Sequence, residues 1–235
     1  MNGKQLRVIG LSGILLLVAS LAVATVSAFP DDVIREKTFV TYYIDESQPY
    51  TDQYNVFAYS GIHWVTETSI SYSINSNGAP AGATTAIKNA FETWDAQTGR
   101  ELFNDAMGTA SRREAGNKFD GKNVISWGRL GRNIIAQTTV WYYSSTGAIV
   151  EFGMVFSTAY KWGIDIDGEE PAYTLTGKFD VQDIATHEAG HTLMLEDLYM
   201  PEASALTMYG YGAYGQTYAR SLGAGDISGI KAVYP

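Results

Sequence analysis

The stretch "HEAGHTLMLED" (residues 187–197) places His187 and His191 four positions apart, with Glu188 directly after the first histidine. Residues four apart on a helix lie on the same face, so the two imidazoles can hold one metal ion. Glu188 would lie beside the metal, where its carboxylate can accept a proton from bound water. Zinc suits nitrogen and carboxylate ligands, and a catalytic site takes three protein ligands and one water. The motif also occurs by chance on helices, so two ordinary histidines are the alternative.

The third ligand must come from another residue type, because the only other histidine, His63, lies far upstream. A glutamate on a much later helix is excluded, since no glutamate follows residue 207, and a Gly-Thr…Asp arrangement is absent. Asp197 lies six residues after His191, where a further arrangement places a histidine or an aspartate. The spacing therefore favours Asp197 over Glu196 and Glu202. We expect His63 to be structural or on the surface.

Composition limits the remaining function classes. The 235 residues contain 25 Asp and Glu against 16 Lys and Arg, a net charge of −9, and 46% of them are hydrophobic. This balance favours a globular protein and argues against a nucleic-acid partner, which needs clustered basic residues. The chain contains no cysteine. A thiolate ligand, a cysteine nucleophile and a cysteine-based latency switch are therefore excluded.

The N-terminus has the pattern of a secretory signal peptide over residues 1–28. Lys4 and Arg7 precede an apolar run at 8–26, and small side chains follow up to Ala28. Cleavage after Ala28 predicts a secreted protein. The alternative is an uncleaved anchor with the protein facing outside, because the apolar run approaches the length that spans a bilayer. A membrane partner is expected only in that case.

The remaining chain is expected to form one catalytic domain at 61–235, preceded at 29–60 by an N-terminal extension or a short pro-segment that is polar and tyrosine-rich. Alternating apolar residues predict strands, and apolar residues at helical spacing predict helices. The elements are a strand at 63–75, a helix at 79–99, strands at 122–128, 134–143 and 148–158, a helix at 180–195 and a terminal helix at 223–235. This order predicts an α/β or α+β fold with a mainly parallel, twisted sheet.

Further segments carry a resemblance to a known family. Met208 follows Asp197 by eleven residues within "ALTMYGYGAYG", and the chain ends in "SLGAGDISGIKAVYP". A metal motif followed by a methionine turn is similar to the metzincin pattern. The Met-Tyr pair and the terminal segment resemble the matrixins in particular. Three earlier pieces extend the resemblance from about residue 62 to the end: Trp64, "ISYSIN" (70–75) and "AIKNAFETWDAQTG" (86–99).

The resemblance implies a zincin fold and a zinc endopeptidase acting on polypeptides. The sheet would be twisted and mostly parallel, with one antiparallel edge strand lining the cleft, two long helices, and a small C-terminal subdomain with a terminal helix. A substrate would pair backbone to backbone with the edge strand. Residues 148–158 ("AIVEFGMVFST") are our candidate for this strand. We expect a monomer.

The resemblance also implies roles for individual residues. One zinc ion would be held by His187, His191 and Asp197, and Glu188 would act as general base and then as acid. Met208 would form an apolar floor beneath the metal. The candidates for a substrate pocket are Tyr209, Tyr211 and Tyr214. The alternatives are a catalytically silent surface or binding protein with the same fold, and a metzincin with narrow, self-processing activity.

Two residues depart from the family pattern. Met194 stands where the family has a glycine that lets the chain leave the helix sharply. Methionine there must adopt a strained left-handed conformation or the chain must leave by another route. Asp197 replaces the usual third histidine and adds negative charge at the metal.

The acidic loop "DIDGEE" (165–170) is a candidate calcium site, with Asp165, Asp167 and Glu169 as ligands and Glu170 beside them. An ordinary solvated loop is the alternative, because acidic surface loops commonly bind no ion.

Overall fold

The computed structural model of the protein describes residues 32–45, 51–65, 69–166, 168 and 175–235. The predicted signal peptide at 1–28 lies outside these residues. Of the helices described, none is both long enough and apolar enough to cross a membrane.

The helices within the described residues are α1 (Ala83–Asp95), α2 (Val181–Thr192) and α3 (Ala224–Val233). Helix α1 buries Ile87, Phe91 and Trp94, which lie at the spacing that predicts it. It packs against α2, where Trp94 Nε1 donates to the carbonyl oxygen of Thr186 at 2.8 Å. The predicted pair of long helices and the terminal helix are thus present. Short 3₁₀ turns follow α2 at Pro201–Ala203 and Tyr218–Arg220.

The described strands form one mixed sheet and one small pair. They are β1 (Ile34–Tyr43), β2 (Ser73–Ile74), β3 (Gly108–Thr109), β4 (Val124–Gly128), β5 (Ile134–Tyr143), β6 (Ile149–Ser157), β7 (Trp162–Gly163), β8 (Phe179–Asp180) and β9 (Tyr211–Gly212). The large sheet has the order β3-β2-β4-β6-β5-β1-β9, and β7 pairs with β8. Four of its six neighbouring pairs are parallel, whereas β5 runs antiparallel to both β6 and β1. The predicted α/β fold with a mostly parallel sheet is confirmed.

Strand β6 lies inside the sheet, which corrects the expectation for residues 148–158. These residues were the candidate for the free edge strand, but β6 pairs with β4 on one side and with β5 on the other. That expectation is wrong. Eight of the nine β6 residues are buried, which is typical of an interior strand covered on both faces. The predicted strand at 63–75 is also shorter than expected, since in its described part β2 covers only Ser73–Ile74.

The resemblance implied an antiparallel strand with a free edge. In the structure β5 runs antiparallel to its neighbours, and β1 covers its outer edge. It pairs antiparallel with β5 along most of its length, and parallel with β9 at Tyr42 and Tyr43. Strand β5 is therefore covered. The chain from Asp32 onwards forms one compact unit, so this part of the predicted extension at 29–60 packs with the main sheet.

Candidate metal centre

Helix α2 starts at a buried carboxylate. Asp180 Oδ1 accepts the backbone N–H of Asp183 at 2.8 Å, which caps the helix. Arg220 grips the same carboxylate with Nε 2.8 Å from Oδ1 and Nη2 2.6 Å from Oδ2. Burial lowers the pKa of Arg220, but the bond to Asp180 outweighs it, and the pKa is raised above its ordinary value. The two-point ion pair fixes the start of the helix that carries both histidines.

His187, His191 and Asp197 bring three ligand atoms together. The two Nε2 atoms lie 3.0 Å apart, and Oδ1 of Asp197 lies 3.4 Å from that of His187 and 3.3 Å from that of His191. A point equidistant from three atoms at these spacings lies about 1.9 Å from each, close to the roughly 2.0–2.1 Å of zinc–nitrogen bonds. Within the described residues, this is the one group of three or more His, Cys, Asp or Glu side chains that could hold a metal ion.

Hydrogen bonds on the far side of each imidazole leave the Nε2 lone pairs free to face the Asp197 carboxylate. Nδ1 of His187 lies 2.7 Å from the carbonyl oxygen of Thr207, and Nδ1 of His191 lies 2.8 Å from that of Leu195. Because carbonyl oxygens only accept, both Nδ1 atoms donate, which leaves the Nε2 atoms as acceptors in the neutral rings. Oδ1 of Asp197 is buried and has no hydrogen-bond partner in the described structure. Three acceptors that converge in this way can share one cation, either a proton or a metal ion.

The electrostatics of the group agree with a shared cation. Burial lowers the pKa of His187, but the nearby Asp197 carboxylate outweighs burial and raises this pKa to about 9. Burial raises the pKa of Asp197, but His191 and His187 outweigh it and hold this pKa far below its usual range. The metal-free site therefore keeps a proton among these groups. A metal ion would replace that proton, so the residues fit a bound cation.

Met194 resolves how the chain returns Asp197 to the histidines. Its φ is 65°, in the left-handed region, as in the strained alternative expected from the sequence. The N–H of Met194 donates to the carbonyl oxygen of His191 at 2.9 Å, and the N–H of Leu195 to that of Gly190 at 3.1 Å. This pair of bonds is the Schellman motif, which usually has glycine at this position. The chain therefore leaves helix α2 with the backbone geometry that glycine usually gives, although the residue is methionine.

Glu188 is fully buried beside the ligands and is held by two threonines. Its Oε1 accepts the hydroxyl of Thr41 on β1 at 2.7 Å, and its Oε2 accepts that of Thr138 on β5 at 2.5 Å. Neither threonine could be predicted from the sequence, because a single threonine in a strand carries no pattern that distinguishes it from other strand residues. Both oxygens of the predicted base are thus oriented by strands of the sheet.

Met208 packs against the helix that carries the ligands. A Cβ atom added at Gly190 of α2 would lie 2.3 Å from Met208 Sδ, so the two approach closely. Asp226 of α3 holds this turn: its carboxylate accepts the N–H groups of Thr207 at 2.8 Å and of Met208 at 3.1 Å. Burial raises the pKa of Asp226. Asp226 therefore positions the carbonyl group of Thr207 that orients His187, a role that its place in the terminal segment did not reveal.

The three candidate pocket tyrosines lie along the segment after Met208. The ring of Tyr211 lies 5.5 Å from that of Tyr209 and 6.3 Å from that of Tyr42 on β1. The ring of Tyr214 lies 5.0 Å from that of Tyr43, also on β1. Tyr211 and Tyr214 thus contact β1.

The remaining acidic and histidine candidates lie outside the cluster. His63 Nδ1 bonds the hydroxyl of Tyr59 at 3.0 Å. Glu196 forms an ion pair with Lys37, and Glu202 is exposed in a 3₁₀ turn. None of the three joins the metal group.

Asp165 is the one candidate ligand of the calcium loop that lies within the described residues. Its N–H donates to Asp180 Oδ2 at 2.9 Å, and its carbonyl oxygen accepts Nη2 of Arg220 at 2.9 Å. Its backbone therefore belongs to the network at the start of α2. Asp167, Glu169 and Glu170 lie outside the described residues, so calcium binding there stays a prediction.

Comparison with known proteins adds no family assignment. No protein-family model matches the chain, and a search of curated proteins finds no significant match. The α/β fold and the His-His-Asp group therefore stand on the sequence and the structure.

Proposed function

We propose that the protein is a zinc-dependent endopeptidase of the matrixin-like metzincin type, and that it is secreted. The observation that carries the proposal is the convergence of His187 Nε2, His191 Nε2 and Asp197 Oδ1 on one point, with Glu188 next to the first ligand. Two imidazoles and one carboxylate are a ligand set typical of zinc, whereas calcium and magnesium prefer oxygen ligands. A general base adjacent to a ligand serves a catalytic metal, and a purely structural site has no need of it.

The residues of the chain supply the proton transfers of such a reaction. When bound, zinc supplies a Lewis acid that polarises the scissile carbonyl group and lowers the pKa of water to about 7. Glu188 accepts the proton of the attacking water and passes it to the leaving amine. Thr138 on β5 holds Oε2, so Oε1 is the atom that exchanges the proton once the Thr41 hydroxyl leaves it. Asp226, Thr207 and Leu195 keep the two imidazoles in the tautomer that binds metal.

Casein cleavage tests the proposal. Because Thr41 on β1 bonds Oε1 of Glu188, the assay uses Phe39→Ala, which removes a ring that anchors β1. The zinc-loaded variant is expected to cleave casein, a chelator to stop the reaction, and added zinc to restore it. Glu188→Gln keeps the shape of the side chain but cannot accept the proton, so it is expected to bind zinc and to lose roughly 10²–10⁴-fold in rate. Zinc-loaded proteins that never cleave casein or a peptide library would support the alternative of a silent metal-binding protein.

A further inference from the structure

Strand β1 passes through the candidate metal centre with a partner on each side. It pairs antiparallel with β5 and parallel with β9, which starts three residues after Met208. The N–H of Tyr42 donates to the carbonyl oxygen of Gly210 at 3.1 Å, and the N–H of Ile44 bonds Gly212 in the same way at 3.1 Å. An extended segment of the chain therefore fills the space between β5 and the segment after the methionine turn.

Alternate side chains of β1 face the site, as the two-residue period of a strand requires. Lys37 forms an ion pair with Glu196, next to the third ligand. The ring of Phe39 stacks on the imidazole of His191, with centroids 4.2 Å apart and planes 5° apart. Phe39 is 4% exposed, so it and the second ligand cover one another.

The next two inward side chains continue this row. The hydroxyl of Thr41 bonds Oε1 of Glu188 at 2.7 Å, which is the oxygen that the proposed reaction needs free. The ring of Tyr43 packs 5.8 Å from Phe179 and 5.0 Å from Tyr214. Lys37 and Phe39 on β1 thus contact Glu196 and the ligand His191. Thr41 and Tyr43 contact the proposed base Glu188 and the candidate pocket residue Tyr214.

Strand β1 is held differently from the interior of the sheet. Two of its ten residues are buried, against eight of nine in β6. Its attachment therefore comes mainly from the backbone ladders with β5 and β9 and from a few side-chain contacts. A segment with few buried apolar contacts can open locally while the core stays folded.

We propose that β1 is an autoinhibitory strand: it occupies the slot between β5 and β9 in which an extended polypeptide would bind, and it must leave before a substrate can enter. This proposal rests on the proposed function, because it identifies the same slot as the site of the substrate. The occupant is an intramolecular segment, and the ligand that replaces it is an extended polypeptide that adds to the free edge of β5.

A reversible disulfide lock tests the proposal in the full chain. Thr38 and Thr139 face each other across β1 and β5, with Oγ1 atoms 3.0 Å apart. Two sulfur atoms can take these positions and form a bond of about 2 Å. The natural chain has no cysteine, so Thr38→Cys/Thr139→Cys introduces the only pair. The cysteine pair is introduced into the Phe39→Ala protein. Oxidised glutathione forms the disulfide, and a phosphine reduces it again.

The probe is a fluorescein-labelled peptide with the sequence of residues 34–44, and its binding is followed by fluorescence anisotropy without metal. A locked strand leaves almost no protein with an open slot, so the oxidised form is expected to bind the peptide about tenfold or more weakly than the reduced form. The same peptide with alanine at the position of Phe39 should bind more weakly to the reduced form. Single-cysteine variants, which cannot form the lock, should bind equally with and without the phosphine.

Equal peptide binding in the two redox states would overturn the proposal, as would no binding by the folded, reduced protein. Hydrogen exchange reports folding, since α2 and β4 amides should stay protected while those of β1 exchange. If Phe39→Ala prevents folding, the lock is placed in the natural chain. Amides of β1 should then exchange about tenfold or more faster than those of β4 after reduction, and equal protection of the two strands would contradict the role of β1.

Hydrolysis of casein by the zinc-loaded lock variant separates the two proposals. Hydrolysis that is equal in both redox states would leave the proposed enzyme intact and remove the autoinhibitory role. Peptide binding that follows the lock without hydrolysis in either state would keep the role of β1 and remove the enzymatic activity.

Discussion

Oδ1 of Asp197 lies 3.3 Å from Nε2 of His191, although helix α2 ends between them at Thr192. The left-handed Met194 turns the chain so that Asp197, six positions after His191, faces the last turn of the helix. The contact therefore depends on the backbone of one residue and the side chain of another. Each can be tested separately.

Replacing Asp197 with alanine is expected to remove the metal. The substitution deletes the carboxylate that completes the three-atom group, and loss of even an outer partner of a metal ligand costs about 10–100-fold in affinity. We expect D197A to lose at least that much zinc affinity, measured by titration against a competing chelator. Glu196→Ala is the matched control, because Glu196 pairs with Lys37 outside the group. Full zinc occupancy in D197A would show that Asp197 is not a ligand.

At position 194 we expect the glycine variant to be more stable than the alanine variant, which is the reverse of the usual order. Met194 is fully buried, so Met194→Ala should lower the free energy of unfolding by about 2–5 kcal/mol. Its φ of 65° disfavours any residue with a Cβ. Met194→Gly should therefore be about 1–2 kcal/mol more stable than Met194→Ala in urea unfolding. At Leu193, buried with φ −96°, glycine should be less stable than alanine. The same order at both positions would refute backbone strain at Met194.

Asp95 is expected to make stability fall as the pH rises. Burial raises its pKa from 3.8 to about 7, against the N–H groups of Phe103 and Leu102, which lower it. Because the folded pKa is the higher one, the folded state binds more protons between these values. The stabilising contribution is complete below pH 3.8 and is lost as the pH rises through about 7. Asp95→Asn keeps an oxygen acceptor and should flatten this part of the profile in urea unfolding.

Glu114 provides a control of opposite sign. The hydrogen bond from Lys122 lowers its pKa from 4.5 to about 2. Its contribution is present above pH 4.5 and is lost as the pH falls through about 2, so Glu114→Gln should change only the acid side of the profile. An unchanged slope between pH 4 and 7 in Asp95→Asn would refute the raised pKa of Asp95.

Local pattern predicted the parts of the fold whose contacts lie close in sequence. The spacing of Ile87, Phe91 and Trp94 predicted α1. The ligand set followed from short spacings around the helix end. The two possible geometries at Met194 could be stated, but choosing between them needed the backbone itself.

The arrangement around β1 could not be predicted in the same way. Its hydrogen bond from Thr41 to Glu188 spans 147 positions, and such non-local pairing leaves no period in either segment. The central place of β6 had a usable signal. Its near-continuous apolar run, including Phe152, Met154 and Phe156, is typical of a strand buried on both faces.

The most direct test of the central claim is peptide-bond cleavage by Phe39→Ala and by Phe39→Ala/Glu188→Gln, each loaded with one zinc and incubated with a peptide library analysed by mass spectrometry. The account predicts cleavage by the first protein and a rate roughly 10²–10⁴-fold lower for the second. Equal cleavage by both, or no cleavage by either while both hold zinc at His187, His191 and Asp197, would contradict it.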